Sequence, residues 1–325
     1  MIKYLKSNKI VSLFLFIICI IMIIKPLTYS KSFLNGVSIW AIKVLPLMLP
    51  FFIISKMIVQ LMCNHKSNTY QSKKKKNILI FFLSALSGYP MGAKLIYEQF
   101  KSRELSLCES KNMMAFCSVS GPMFMIGTVG VGFLGSFDAG LIILVSNIIG
   151  AIFNGLLWIK INKNSSCNNA KPLQPLLINN NTSSYSFSEI VYDSLISVLM
   201  IGTYIAISFV LIELLKQLNL IDLTSKIVYS LSFKMLNIDV IKSVIIGLFE
   251  VTCGVFNLAQ SQTSLIAKTI TSSFLISFGG FSILLQNLSM VSQIGITSKY
   301  ILKQKITHAI FSIIIATLLC FCFSY

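Results

Sequence analysis

Between residues 84 and 94 an apolar run is cut by Gly88, Pro90 and Gly92. Pro90 removes a backbone donor and the glycines free the chain on either side, so no continuous helix passes through this stretch. In an aqueous domain such a break is an ordinary loop. Here it falls in a chain that is 55% hydrophobic and only 11% charged, with a mean hydropathy of +0.81, which excludes an ordinary soluble fold and reads as a polytopic membrane protein. Irregular backbone at membrane depth is tolerated only where protein or a water-filled cavity satisfies it. The break therefore predicts a polar interior, and channels and transporters use such breaks to bring helix ends to a solute.

The formal charge of +17 does not point to nucleic acid. Lysines such as Lys73, Lys74, Lys75 and Lys76 cluster between apolar runs, as the cytoplasmic loops of membrane proteins do. The eight cysteines include no C-x-x-C pair, and Cys19, Cys117, Cys253, Cys320 and Cys322 lie inside apolar runs as small packing residues. His65 and His308 stand far apart with no H-E-x-x-H. No metal site or cofactor is expected. No G-x-S-x-G and no phosphate loop occurs, so an enzyme is the weaker class.

Taken in order, residues 1–31 read as an N-terminal transmembrane helix: Lys3, Lys6 and Lys9 precede an apolar run, and Lys25, Pro26 and Tyr29 are poor neighbours for a signal peptidase. Residues 32–161 form a first unit. It opens with a long span kinked by Pro46 and Pro50 and continues through the lysine-rich segment 65–76 into the interrupted stretch. The arms on either side of that break reach only about 15 Å each, which favours a re-entrant hairpin over a span. Residues 102–110 read as an interfacial turn of helix, and Gly121-Pro122 marks a second break. Residues 162–187 form a hydrophilic linker.

Residues 188–325 repeat the plan. Gly247 to Gly254 can be laid on residues 85–92, and residues 277–282 on 118–123; a final apolar run follows Lys299, with Lys303 and Lys305 near its start. If the first hairpin does not cross, an odd number of spans separates the copies, and the second is turned over. The fold class expected is an all-α polytopic membrane protein of two inverted repeats with re-entrant helical hairpins and broken helices.

Glu250 is the only charged residue between Lys242 and Lys268. An acid at that depth faces a cavity or a partner. It reads as a coupling or gating residue, or alternatively as a structural carboxylate on an unwound amide. Lys94 follows an uncharged stretch and suits an anionic solute, with an i,i+4 pair to Glu98 as the plainer alternative. Ser87, Gly88, Tyr89, Ser118, Ser120, Gly121, Thr252, Asn257, Gly280, Ser282 and Gln286 lie beside the breaks and complete the expected solute site, although Ser and Thr there also serve helix packing.

Residues 86–94, 120–130, 247–250 and 279–282, in that order, resemble the YlbJ, or SpoVV, sporulation integral membrane proteins. That family belongs to the wider group with the nucleoside-recognition Gate domain, similar to concentrative nucleoside transporters and to the membrane part of ferrous-iron transporters. The resemblance covers nearly the whole chain. It implies a role in the mother cell during endospore formation, moving dipicolinic acid across the outer forespore membrane. Dipicolinate is a small aromatic dianion, which suits helix N-termini, amide donors and Lys94. A non-transporting assembly factor of the spore envelope, and a nucleoside or metal-ion Gate transporter, stay open as rival readings. The partners expected are a small-molecule anion and the lipid bilayer, with no nucleic acid; a homo-oligomer is left open.

Overall fold

A computed structural model of the chain describes residues 9–64, 73–163, 186–233 and 235–322. His65, the start of the 65–76 segment and most of the 162–187 linker lie outside the described residues. Those described are helical, with no strand among them, and include long apolar helices able to cross a bilayer at Pro26–Ile58, Phe137–Lys163, Phe187–Gln217, Leu265–Ile294 and Ser298–Cys322. Large apolar side chains such as Leu27, Ile42 and Phe321 are exposed while Ser, Asn and Thr side chains are buried, the distribution a lipid solvent selects.

Helix α1 (Lys9–Ile24) ends at Lys25, and α2 (Pro26–Ile39) begins on Pro26, where a missing N–H costs nothing. The second helix therefore starts earlier than the expected boundary at residue 32. The kink expected from Pro46 and Pro50 is a π-helical turn, Trp40–Val44, in which the Leu45 N–H reaches back to the Trp40 carbonyl; α3 (Leu45–Asn64) continues the span.

Helices α4 (Lys73–Ser87) and α5 (Met91–Lys101) form the first hairpin, turning at Gly88. A Cβ on Gly92 would lie 3.2 Å from the Cβ of Ser84, an approach that neighbours two turns apart in one straight helix never make. Of the interfacial turn of helix expected over 102–110, only residues 107–110 are helical, as the first turn of the next helix. The chain leaves α5 through a left-handed Arg103, and α6 (Leu107–Cys117) starts on a capping box in which Ser106 and Glu109 satisfy each other's backbone donors. After α6 the chain unwinds over 118–121 and resumes as a π-helical segment, Met123–Phe133, before the long α7 (Phe137–Lys163).

The second half has the same order of elements. Helix α8 (Phe187–Gln217) crosses, and the amphipathic connector α9 (Leu220–Leu231) follows it. Helices α10 (Ile238–Phe249) and α11 (Val251–Gln260) make a second hairpin with Glu250 at its turn, closed so tightly that the backbones of Gly247 and Gly254 touch. Helices α12 (Leu265–Phe278) and α13 (Gly280–Val291) are one helix broken at Gly279, and α14 (Ser298–Cys322) ends the description.

Helices α7 and α14 pack along each other, with α12 against both, and α2 packs along α8. Polar pairs join α7, α12 and α14. Ser146 meets Ser273 at 2.7 Å, Ser273 meets Ser312 at 2.8 Å, Asn147 donates to Ser277 at 2.8 Å, and Trp158 donates to Thr307 at 3.0 Å. Without a hydrophobic force between helices in lipid, such bonds and close backbone approaches, as at Gly150 on Ser312, hold the bundle. Of the cysteines read as packing residues, Cys117, Cys253 and Cys320 are buried. Cys19 and Cys322 are exposed, so their thiols face outward and do not pack the interior.

Candidate functional site

Each hairpin turn sits on the break of the broken helix that follows it. A Cβ on Gly88 would lie 2.8 Å from the Cα of Gly121, and one on Gly280 would lie 2.8 Å from the Gly247 carbonyl. Both close approaches need glycine, and Gly88 (φ +70°) and Gly280 (φ +63°) also hold a left-handed backbone. Two turns and two breaks thus converge around one space.

That space is an inner cavity of about 60 Å3, lined by Ser87, Gly88 and Tyr89 from the first turn, Ser120 and Gly121 from the first break, Glu250 and Thr252 from the second turn, and Ser282 and Gln286 from α13. Met48, Phe52, Ile201 and Tyr204 of α3 and α8 close its apolar side. It shares Phe52, Ser87, Tyr89, Ile201, Tyr204 and Gln286 with an outer cavity of about 230 Å3 that reaches Lys94, Lys56 and Asp193. Both are large enough to be wet, and their hydroxyls give water or a solute partners.

The hydroxyl of Ser87 is buried, 4% exposed, lines both cavities, and has no hydrogen-bond partner among the described residues. A buried hydroxyl left that way carries a desolvation cost of roughly 1 to 3 kcal/mol that a bound group would relieve. In the outer cavity two lysines face one aspartate, and Lys56 is steadied by donating to Ser197 at 3.1 Å. The vestibule favours an anion.

Helix ends sort the remaining charge. The N-caps of α5, α13 and the π-helical segment give no side-chain hydrogen bond, and the first turns of these elements carry the cavity-lining residues Met91, Ser282 and Phe124, so their positive dipole ends point toward the space. Helix α11 is different: a Glu250 carboxylate oxygen accepts from the Cys253 N–H at 2.7 Å and caps it. The structural alternative for Glu250 is therefore realised, while the same side chain still faces the inner cavity.

Three expected site residues lie away from the cavity. Asn257 donates its amide to Ser243 at 3.0 Å and ties α11 to α10. Ser118 sits behind the first break, its hydroxyl accepting from Asn287 at 3.2 Å. Gly280 contributes backbone contact to Gly247 rather than a lining group. Tyr89 lines the space with its ring only, since its hydroxyl donates to the Ser118 carbonyl at 2.7 Å.

Two lysines went unread as site residues. Lys56 is a lone charge inside the apolar run of α3, a signal equivalent to that of Glu250. Lys305, taken as a flanking residue of the last span, is 1% exposed, and its ammonium reaches the Ser118 and Ser277 carbonyls and the Tyr89 hydroxyl. The stripe Lys305, His308, Ser312, spaced at helical intervals on an apolar helix, was the available sign that this lysine faces inward.

Compared with known proteins, the chain is 24% identical over 334 aligned residues to a curated protein of Bacillus subtilis (strain 168) described as sporulation integral membrane protein YlbJ. The match spans 95% of this chain and 82% of that relative. No protein-family model matches the chain, and no solved structure matches it.

Proposed function

We propose, from an end-to-end similarity that supports membership of the YlbJ family of sporulation integral membrane proteins, that this chain is a membrane transporter acting in endospore formation. Its solute is a small dicarboxylate anion, dipicolinic acid, moved across the outer forespore membrane of the mother cell. The two halves are inverted copies that alternate access to the site between the hairpin turns. The observation that carries this reading is the cavity between the two turns and the two breaks, open to uncapped helix N-termini and continuous with a vestibule holding Lys94 and Lys56. A planar dianion meets there what it needs: backbone N–H groups, the free Ser87 hydroxyl, and a pair of ammonium groups at the entrance.

Flux into proteoliposomes tests it, with dipicolinate, a nucleoside and ferrous iron offered in parallel. Dipicolinate is expected to enter, and Lys94→Ala to lower uptake at limiting concentration by roughly tenfold, the worth of one partly solvated charge contact of about 1.4 kcal/mol. Entry of a nucleoside or iron instead would move the chain to the wider Gate group. Entry of nothing, with Lys94→Ala still supporting sporulation, would favour the assembly-factor reading.

A further inference from the structure

Lys305 heads the largest side chains that are fully buried, and its nitrogen meets only acceptors. The Ser118 carbonyl lies at 2.8 Å and the Ser277 carbonyl at 3.4 Å. The third oxygen is the Tyr89 hydroxyl, whose own proton already goes to Ser118, and the Tyr89 ring face stands with its centroid 4.2 Å away. An ammonium has three donors and no lone pair, so three acceptors and a ring face suit its charged form.

The carbonyls are not arbitrary ones. Ser118 caps the C-terminus of α6 and Ser277 lies in the last turn of α12, so both sit at the negative ends of the two broken helices. The Ser118 carbonyl would ordinarily accept from the residue four positions on. That residue is Pro122, which has no N–H to give. The first break therefore orphans a carbonyl at the place where α14, from the other half of the chain, delivers an ammonium.

Unwound carbonyls and the C-terminal ends of half-helices are the groups with which broken-helix transporters hold a mobile coupling cation. We propose that Lys305 is a resident cation in such a position: it neutralises the paired helix ends permanently, so this chain needs no alkali cation to close its breaks or to carry solute through them. The consequence for transport rests on the function proposed above; the consequence for stability does not.

The experiment therefore has two readouts on the full-length chain in Na+, K+ and choline buffers. Thermal unfolding of the purified wild type in detergent is expected to be the same in all three. Lys305→Ala and Lys305→Met are expected to melt several degrees lower in choline and to recover with Na+ or with ammonium, which enters the vacated position. Dipicolinate flux by the wild type is expected not to change with the cation, and flux by the variants to fall in choline and return with Na+ or ammonium. If no solute moves but the variants show the cation-dependent melting, the site assignment stands and the transport reading fails. Wild-type melting or flux that requires Na+ overturns the proposal. So does variant stability that ignores every cation, including failure of both variants to fold under all conditions.

Discussion

Alanine at Gly88 and at Gly135 makes a matched pair. The two glycines share nearly the same backbone, φ +70° and +69°, so each substitution carries a similar left-handed strain, about 1 to 2 kcal/mol. They differ in what surrounds them. A Cβ at Gly135 meets nothing within 4 Å, whereas one at Gly88 lands 2.8 Å from the Cα of Gly121 and presses on backbone that no side-chain rotation can clear. Overpacking of that kind costs a further 1 to 3 kcal/mol, roughly, so Gly88→Ala should be less stable than Gly135→Ala by that difference. A second pair repeats the test in the other half: a Cβ at Gly280 (φ +63°) would lie 2.8 Å from the Gly247 carbonyl, and one at Gly295 (φ +82°) meets open space. The assay is unfolding of the purified variants in detergent, each compared with its partner. Equal stability within both pairs would mean that the turns stand clear of the breaks, and the converging geometry of the site would be refuted.

Two further outcomes are expected. Glu250→Gln keeps an oxygen for the Cys253 N–H and should unfold like the wild type, while Glu250→Ala loses the cap of α11 and should cost about 0.5 to 2 kcal/mol; similar losses for both would show that the cap is not the role of this side chain. On the connector, the Lys242 ammonium, 2.8 Å away, hydrogen-bonds the Asp222 carboxylate and holds it below its usual range. A lowered carboxylate contributes stability above its unfolded value near about 3.9 and loses it as pH falls through the lower folded value, so Asp222→Asn should matter slightly at neutral pH and not at all in strong acid. A stability gap that persists unchanged into acid would contradict that link.

The breaks were legible because proline and glycine announce them chemically: Gly88 with Pro90, Gly121 with Pro122, and Gly279 with Gly280 are where the helices end. The order of hairpin, broken helix and span could be read twice in the chain for the same reason. What the letters could not disclose was direction. Asn257 and Ser120 look alike as polar residues next to a break, yet one spends its amide across a hairpin and the other lines the cavity, a difference set by helix rotation. Lys305 was hidden because lysines near the start of an apolar run usually reach for the interface. Only the packing of α14 on α7 and α12 turns it inward. Residues 102–106 misled by alternation: the pattern of a surface helix there is also that of a turn leading into a capping box, and the helix begins only at Leu107.

The seam between α7 and α14 has a mechanical meaning. Directional pairs such as Trp158 with Thr307 and His308 with the Asn147 carbonyl fit at one register, and a shift by a single residue would strip several of them of partners at once in a medium that offers no replacement. The α3 and α8 faces are coupled chiefly by apolar contact and by isolated bonds such as Lys56 to Ser197, which a small slide can trade for equivalents. In the alternating-access cycle proposed above, α7 and α14 are the stator and α3 and α8 the slip plane, the walls that carry Phe52, Ile201 and Tyr204 beside the inner cavity.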